Sequence, residues 1–277
     1  MYGVFIVLFL LVGLWYYTVY VRDRSWCNAS IHNPAEFQEI LTKYGVAIIP
    51  NVFQENEVDE LRKITKDIDS NEYGNINTPK KRKDKIIPID HVKSKLQLLY
   101  QKNPLFWKNV FPNYQITECS LLTSYPKACG QPWHMDTEYQ ENNGDLISIG
   151  VTLDTVEENM GPLEVFPGSH KTVLYKNDIL DSILEPLGDH IPFLQEAITY
   201  IKFRLWGFYP EKCMCPKGSL VFWSSQVMHR GSANTSKKER PVFYFSLLEP
   251  NKHRPDGATY SLSSNDNKQR IIYNHTF

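Results

Sequence analysis

Hydrophobic and polar positions divide the chain into three unlike stretches. Residues 1–21 (MYGVFIVLFLLVGLWYYTVYV) carry no charged side chain, and ~20 apolar residues at ~1.5 Å each are enough to span a hydrocarbon core. Trp15, Tyr16, Tyr17 and Tyr20 crowd the C-terminal half, where amphipathic rings sit at headgroups, and Arg22 and Arg24 close the run. This pattern predicts a single transmembrane anchor over 1–21, followed by a linker over 22–33. A cleaved signal peptide and a buried core helix are the rival readings, and the signal peptide would want a basic start and small residues at the cut. The two arginines tilt the expected orientation of a single-pass protein towards a cytoplasmic C-terminal domain.

The second stretch has helical spacing. Asn33-Pro34-Ala35-Glu36 reads as a capping box with proline at the first helical position, opening a helix that Gly45 can close. A short apolar strand follows at 46–49, and Val58, Leu61, Ile64 and Ile68 then repeat on one face of a charged helix. Further helices are expected over 91–101 and 104–111. Before them, residues 70–85 form a polar segment ending in the basic run Lys80-Lys-Arg-Lys-Asp-Lys85. It reads as a solvated loop, or alternatively as a contact for an anionic substrate or lipid headgroup.

From residue 114 the pattern changes to short β-prone runs split by turn residues, expected as strands at 115–125, 146–153, 163–165, 220–223 and 242–248. Such runs favour a sandwich or barrel over βαβ units. Residues 174–214 interrupt them with a helical stretch around 192–201, an insertion of the size of a lid. A tail covers 251–277.

Composition narrows the partners. Thirty basic against 31 acidic side chains leave a net charge of -1, so no global field draws the chain onto nucleic acid. Five cysteines are too few and too scattered for a disulfide framework. A mean hydropathy of -0.38 excludes a multi-pass membrane protein.

Candidate chemistry begins at Gln131-Pro-Trp-His134-Met-Asp136. In an extended segment alternate side chains share a face, so His134 and Asp136 can reach one metal ion. His229 follows 93 positions later. Two histidines and one carboxylate leave coordination positions open, the ligand set of a non-haem Fe(II) oxygenase, whereas closed structural zinc wants a fourth ligand and usually thiolates. Cys213-Met-Cys215 is a lone pair and reads as structural. Arg240, eleven residues beyond His229, can return on a neighbouring strand, where its planar fork suits a carboxylate.

Five segments in order, Gln131-Pro-Trp-His-Met-Asp136, Gly161-Pro-Leu-Glu-Val-Phe-Pro-Gly-Ser-His170, Gly218-Ser-Leu-Val-Phe-Trp223, His229-Arg-Gly-Ser-Ala-Asn-Thr-Ser236 and Arg240-Pro, resemble the phytanoyl-CoA dioxygenase family. The resemblance covers about residues 35–248 and implies a dioxygenase domain over 34–250. It implies a mainly β fold with flanking helices: a double-stranded β-helix (jelly roll, cupin-like) preceded by a helical region, here with a membrane-spanning helix before it. It implies Fe(II) held by His134, Asp136 and His229, 2-oxoglutarate as co-substrate with its distal carboxylate on Arg240, Gln131 as a further co-substrate contact, and O2. The implied reaction hydroxylates a C–H bond and releases succinate and CO2. The expected substrate is a small or lipid-like molecule, lipophilicity being suggested by the anchor. His170 is expected to serve its turn rather than a metal. Many relatives have a tryptophan where this chain has Gly150, so the co-substrate wall there must differ. Two other classes remain: an inactive jelly-roll binding module, and a metal-dependent hydrolase using the same triad.

Overall fold

The computed structural model describes residues 27–68, 81–137, 146–171 and 192–249. The helical preface forms as its spacing predicts. In α1 (Pro34–Tyr44) the Asn33 side chain accepts from the Glu36 amide at 3.3 Å, and Gly45, at φ 72°, closes the helix in the left-handed region. Helix α2 (Glu55–Asp67) opens where the Gln54 amide donates to Glu57 Oε2 at 2.7 Å, and it buries Val58, Leu61 and Thr65. Helices α3 (Ile89–Lys102) and α4 (Pro104–Val110) follow in tandem, the second capped by the Asn103 side chain. Helix α5 (Pro192–Leu205) lies within the expected insertion.

Nine strands among the described residues make two antiparallel sheets. In chain order they are β1 (Val46–Ile49), β2 (Arg82–Ile86), β3 (Gln115–Ser124), β4 (Leu146–Thr152), β5 (Leu163–Val165), β6 (Glu211–Cys213), β7 (Leu220–Ser224), β8 (His229–Gly231) and β9 (Arg240–Leu248). The larger sheet runs β1-β7-β4-β9-β3-β2 and the smaller β6-β5-β8. Single bridges from Ala128 to Asn234 and from His134 to His229 add the segment after β3 to the smaller sheet's edge. This is the jelly-roll core with flanking helices that the sequence led one to expect.

Alternation along the strands gives the large sheet two unlike faces. Ile149, Phe222, Phe243, Phe245 and Leu247 point to the helical side and join Phe37, Leu61, Leu96 and Phe106 in one core. The alternate positions, Arg82, Asp84, Ser120, Tyr244 and Ser246 among them, face the smaller sheet instead. The interior between the sheets is therefore polar towards β9, β3 and β2, where it houses the candidate site, and apolar towards β1 and β7, where Val46, Ile48 and Val221 meet Val165 and Cys213.

Two expectations are corrected. No helix among the described residues is long and apolar enough to cross a membrane. The longest, α3 and α5, have 14 residues each, ~21 Å against a core of ~30 Å. Residues 1–21, on which the membrane-spanning helix rested, lie outside the described residues, as do linker residues 22–26 and the tail over 251–277. The described fold is accordingly a jelly roll with flanking helices, with no membrane-spanning helix among the described residues, and the single-pass membrane localisation, with its cytoplasmic tilt, is withdrawn. Secondly, part of the basic run is a strand. Arg82–Ile86 pairs with β3 along its whole length, Lys83 facing out and Arg82 buried.

Candidate metal and co-substrate site

His134 and His229 meet across the sheets' open end. Each backbone amide donates to the other's carbonyl at 2.9 Å, which fixes two imidazoles side by side, and the Asp136 amide donates to Ser225 O at 2.8 Å. The ring nitrogens are sorted by their neighbours. His134 Nδ1 lies 2.8 Å from Pro132 O and His229 Nδ1 lies 2.9 Å from Val227 O. A carbonyl can only accept, so both Nδ1 atoms carry the proton and both Nε2 lone pairs are free to bind. Burial holds the His229 imidazole below its ordinary pKa, and therefore neutral, against the pull of Asp136.

Asp136 completes the set. Its Oδ1 stands 3.5 Å from His229 Nε2 and 3.8 Å from His134 Nε2, and the three ligand atoms all lie within 4.8 Å of one another. Neighbouring ligands of an ion bound at ~2.1 Å stand ~3 Å apart, so the three fit a single ion with small adjustments. Oδ2 is engaged elsewhere: the Trp223 indole Nε1–H donates to it at 3.1 Å. One carboxylate oxygen is thus left for the metal. No other group of three such side chains occurs among the described residues.

Trp223 also accounts for Gly150. On β4, Gly150 sits between Val221 of β7 and Tyr244 of β9. A Cβ there would stand 3.1 Å from Val242 and 3.3 Å from the Trp223 ring. The wall that a tryptophan at 150 would build from β4 is built here from β7.

Arg240, at the start of β9, is buried, and its guanidinium has no hydrogen bond or ion pair with any described residue; Nε is fully enclosed. Burial pulls its pKa down to about 9, and neighbouring Arg82 adds to the fall. Arg82, which the loop reading of the basic run concealed, lies on the same wall. Gln131 is tied to β8 at both ends: its amide donates to Gly231 O, and its Oε1 accepts from the Gly231 amide, both at 2.9 Å. His170 packs on the C-terminal end of α1 instead of bonding within its own turn, with Nε2 3.2 Å from Thr42 O and the ring against Gly45. Cys213 and Cys215 join Cys27 in an apolar cluster, where burial pushes the Cys27 thiol up to about 12 and Cys215 to about 11; thiols so protonated are poor metal ligands.

Asp84 is the acidic feature of the interior. Its Oδ2 accepts from the Tyr244 hydroxyl at 2.8 Å, while Oδ1 is buried without a partner. Burial pushes its pKa up to about 6, with Asp136 contributing and the Tyr244 and Ser120 hydrogen bonds opposing. A carboxyl raised by folding stabilises the fold in its protonated form. That contribution is whole below about pH 4 and is lost as pH rises through about 6. Metal-free Asp84→Asn protein is expected to be more stable than wild type at pH 7.5, on the order of 2 kcal/mol, with the two curves converging near pH 4. Denaturant melts at the two pH values check this, and an unchanged gap would refute it.

Comparison with known proteins agrees with this geometry. The family model described as phytanoyl-CoA dioxygenase (PhyH) matches residues 41–182, just over half of the chain. The chain belongs to the phytanoyl-CoA dioxygenase family. Membership brings with it the class of Fe(II)- and 2-oxoglutarate-dependent oxygenases. L-proline trans-4-hydroxylase of Streptomyces griseoviridis is 30% identical over 122 residues, 40% of this chain, and the match spans somewhat under half of that relative, 45% of its length. Two solved structures share the fold. HygX of Streptomyces hygroscopicus, with nickel and 2-oxoglutarate bound, superposes with a TM-score of 0.58 at 14% identity, over 82% of this chain and 95% of its own. The epimerase SnoN of nogalamycin biosynthesis, in complex with Fe3+, alpha ketoglutarate and nogalamycin RO, gives 0.56 at 13% identity, over 79% and 84%.

Proposed function

We propose that the chain is a hydroxylase in which His134, Asp136 and His229 hold Fe(II), Arg240 takes the distal carboxylate of 2-oxoglutarate, and the interior between the sheets receives a small, polar substrate. When bound, the metal and co-substrate supply the oxidising chemistry, in which O2 converts 2-oxoglutarate to succinate and CO2 and leaves an oxygen atom on a substrate C–H bond. This chain's residues do the rest. The Pro132 and Val227 carbonyls hold the two imidazoles in the ligating tautomer. Trp223 fixes the Asp136 carboxylate. The closed wall of β4, β7 and β9 keeps water from the interior. Asp84 of β2, Ser120 of β3, and Tyr244 and Ser246 of β9 face that interior and suit a substrate with hydrogen-bonding groups better than a lipid chain.

One observation carries this reading: a buried arginine without a counter-ion among the described residues, in a fold that also brings two histidines and a single carboxylate together. A buried cation needs an anion, and a hydrolase using the same triad would have no use for one there. Anaerobic addition of Fe(II) and 2-oxoglutarate should produce the weak visible absorption of a keto acid chelated to iron, and aerobic addition should produce succinate. Arg240→Ala should weaken both at a given 2-oxoglutarate concentration. Wild-type protein giving neither signal would sink the proposal.

A further inference from the structure

We propose that Trp133 and Arg230 are positioning residues that set the approach of the two histidines from outside the smaller sheet, and that helix α5 of the insertion governs this pair through Phe203 and Glu196. The inference rests on His134, Asp136 and His229 as metal ligands, and it extends control of that site to a helix that none of the five motifs contains.

The edge that carries the histidines is thin. Strand β8 has three residues, and the segment before Asp136 is joined to it by the paired amides of His134 and His229 and by the bonds between Gln131 and Gly231. So short a pairing is weak by itself and depends on what its side chains pack against. Alternation turns the neighbours of each histidine to the outer face. Trp133 precedes His134, Met228 precedes His229, and Arg230 follows it. Trp133 and Met228 are buried in one apolar cluster with Phe166 and Phe203, and the Arg230 guanidinium lies over the Trp133 ring at 4.4 Å. A cation on an aromatic face thus joins the two histidine-bearing segments a second time, behind the imidazoles.

Both members of the pair are held by α5. Trp133 packs on Phe166 at 4.4 Å, and Phe166 stacks on Phe203 of α5 at 4.8 Å and 23°. Arg230 Nε donates at 2.8 Å to Glu164 Oε2, directly opposite on β5, while Nη1 donates to Glu196 of α5. Glu164 is itself steadied by the Ser232 hydroxyl at 3.2 Å. The guanidinium plane is fixed by β5 along one edge, by α5 along another and by the indole beneath it, which a planar fork permits and an ammonium does not. A shift of α5 moves Phe203 and Glu196 together, and it reaches Trp133 and Arg230, each the chain neighbour of an imidazole. Groups that orient metal ligands from behind contribute to affinity nearly as the ligands do.

The test is metal binding rather than turnover. Titrations with Co(II), whose visible absorption reports ligand geometry, would compare wild type with Arg230→Met, Arg230→Lys and Glu196→Gln. Charge and positioning predict opposite signs for Arg230→Met: removing a cation would by itself tighten binding of a dication, whereas lost positioning weakens it. Arg230→Met is expected to bind Co(II) roughly 10-fold more weakly than wild type with a displaced visible band, and Glu196→Gln roughly threefold more weakly with a displacement in the same direction. Arg230→Lys should fall between wild type and Arg230→Met. Should Arg230→Met fold poorly, Phe203→Leu, which loosens the α5 contact and keeps every charge, carries the comparison with the same expected shift. A drop in metal-free melting with Co(II) affinity and band unmoved would mark Arg230 as an ion pair of the fold alone, and tighter binding by Arg230→Met would leave it only its charge. A wild-type response from both Glu196→Gln and Phe203→Leu would remove α5 from the device. Each of these results overturns the inference. Failure of the ligand assignment looks different: wild-type protein would bind no Co(II), or Asp136→Ala would bind it as wild type does.

Discussion

Asp136→Ala protein is expected to form succinate on the order of a thousandfold more slowly than wild type at saturating 2-oxoglutarate, with Fe(II) affinity lowered in parallel. Asp136 supplies the single carboxylate of the candidate site, and its Oδ1 stands 3.5 and 3.8 Å from the Nε2 atoms of His229 and His134. Without it two neutral imidazoles remain, with no negative charge to hold a dication. The fold should not suffer. The side chain is part-exposed and its hydrogen bond goes to the Trp223 indole, at the open end of the sheets and not in the apolar core. Metal-free melting should therefore match wild type closely while turnover collapses. Substantial succinate production by a well-folded Asp136→Ala protein would contradict the ligand assignment.

The largest loss of stability is expected at Phe222. It is fully buried on β7, where its ring meets Phe37 of α1 at 4.7 Å and stacks on Phe111, just after α4, at 6.0 Å and 7°. Phe106 and Trp107 of α4 close the other side at 6.3 and 6.2 Å. Phe222→Ala removes the ring that joins two helices to the sheet and leaves a cavity walled by rigid aromatics that cannot collapse. The expected cost is about 3–5 kcal/mol, measured as a fall in the denaturant midpoint at unchanged slope. Phe222→Leu should lose markedly less. A loss below about 1 kcal/mol for the alanine variant would mean that the cluster repacks.

Why some of this was legible in the sequence and some was not follows from which face of the sheet a residue occupies. Outward-facing strand residues are apolar because helices cover them, so β3, β4, β7 and β9 announced themselves through hydrophobic runs. Strand β2 did not. Its inward positions, Arg82 and Asp84, belong to a polar interior, and its outward ones, Lys83 and Lys85, are charged as well. Lys85 reaches the carbonyls of Thr65 and Lys66 at the end of α2. A period-two pattern written wholly in charges looks like a solvated loop. Strands β6 and β8, of three residues each, are too short for any periodicity. At the candidate site, His134, Asp136 and His229, which the fold brings together, stood out because a metal demands particular residue types, and Arg240 because its distance from His229 suited a strand return. Arg82 and Trp223 carry no such signature. Their places emerge only from register, which sets Arg82 opposite Ser124 and brings Trp223 over Gly150.

The reach of Trp223 across to Asp136 gives the protein an optical property of its own. Of the six tryptophans in the chain, this one has its indole nitrogen 3.1 Å from the carboxylate of Asp136, a proposed metal ligand, and its ring centre lies 6.2 Å from that of His229. An open-shell ion seated among those groups lies close enough to quench the indole's emission. Loading of the site by such an ion is therefore expected to dim the protein's own fluorescence, readable without label or substrate, and the response is expected to shrink in Trp223→Phe.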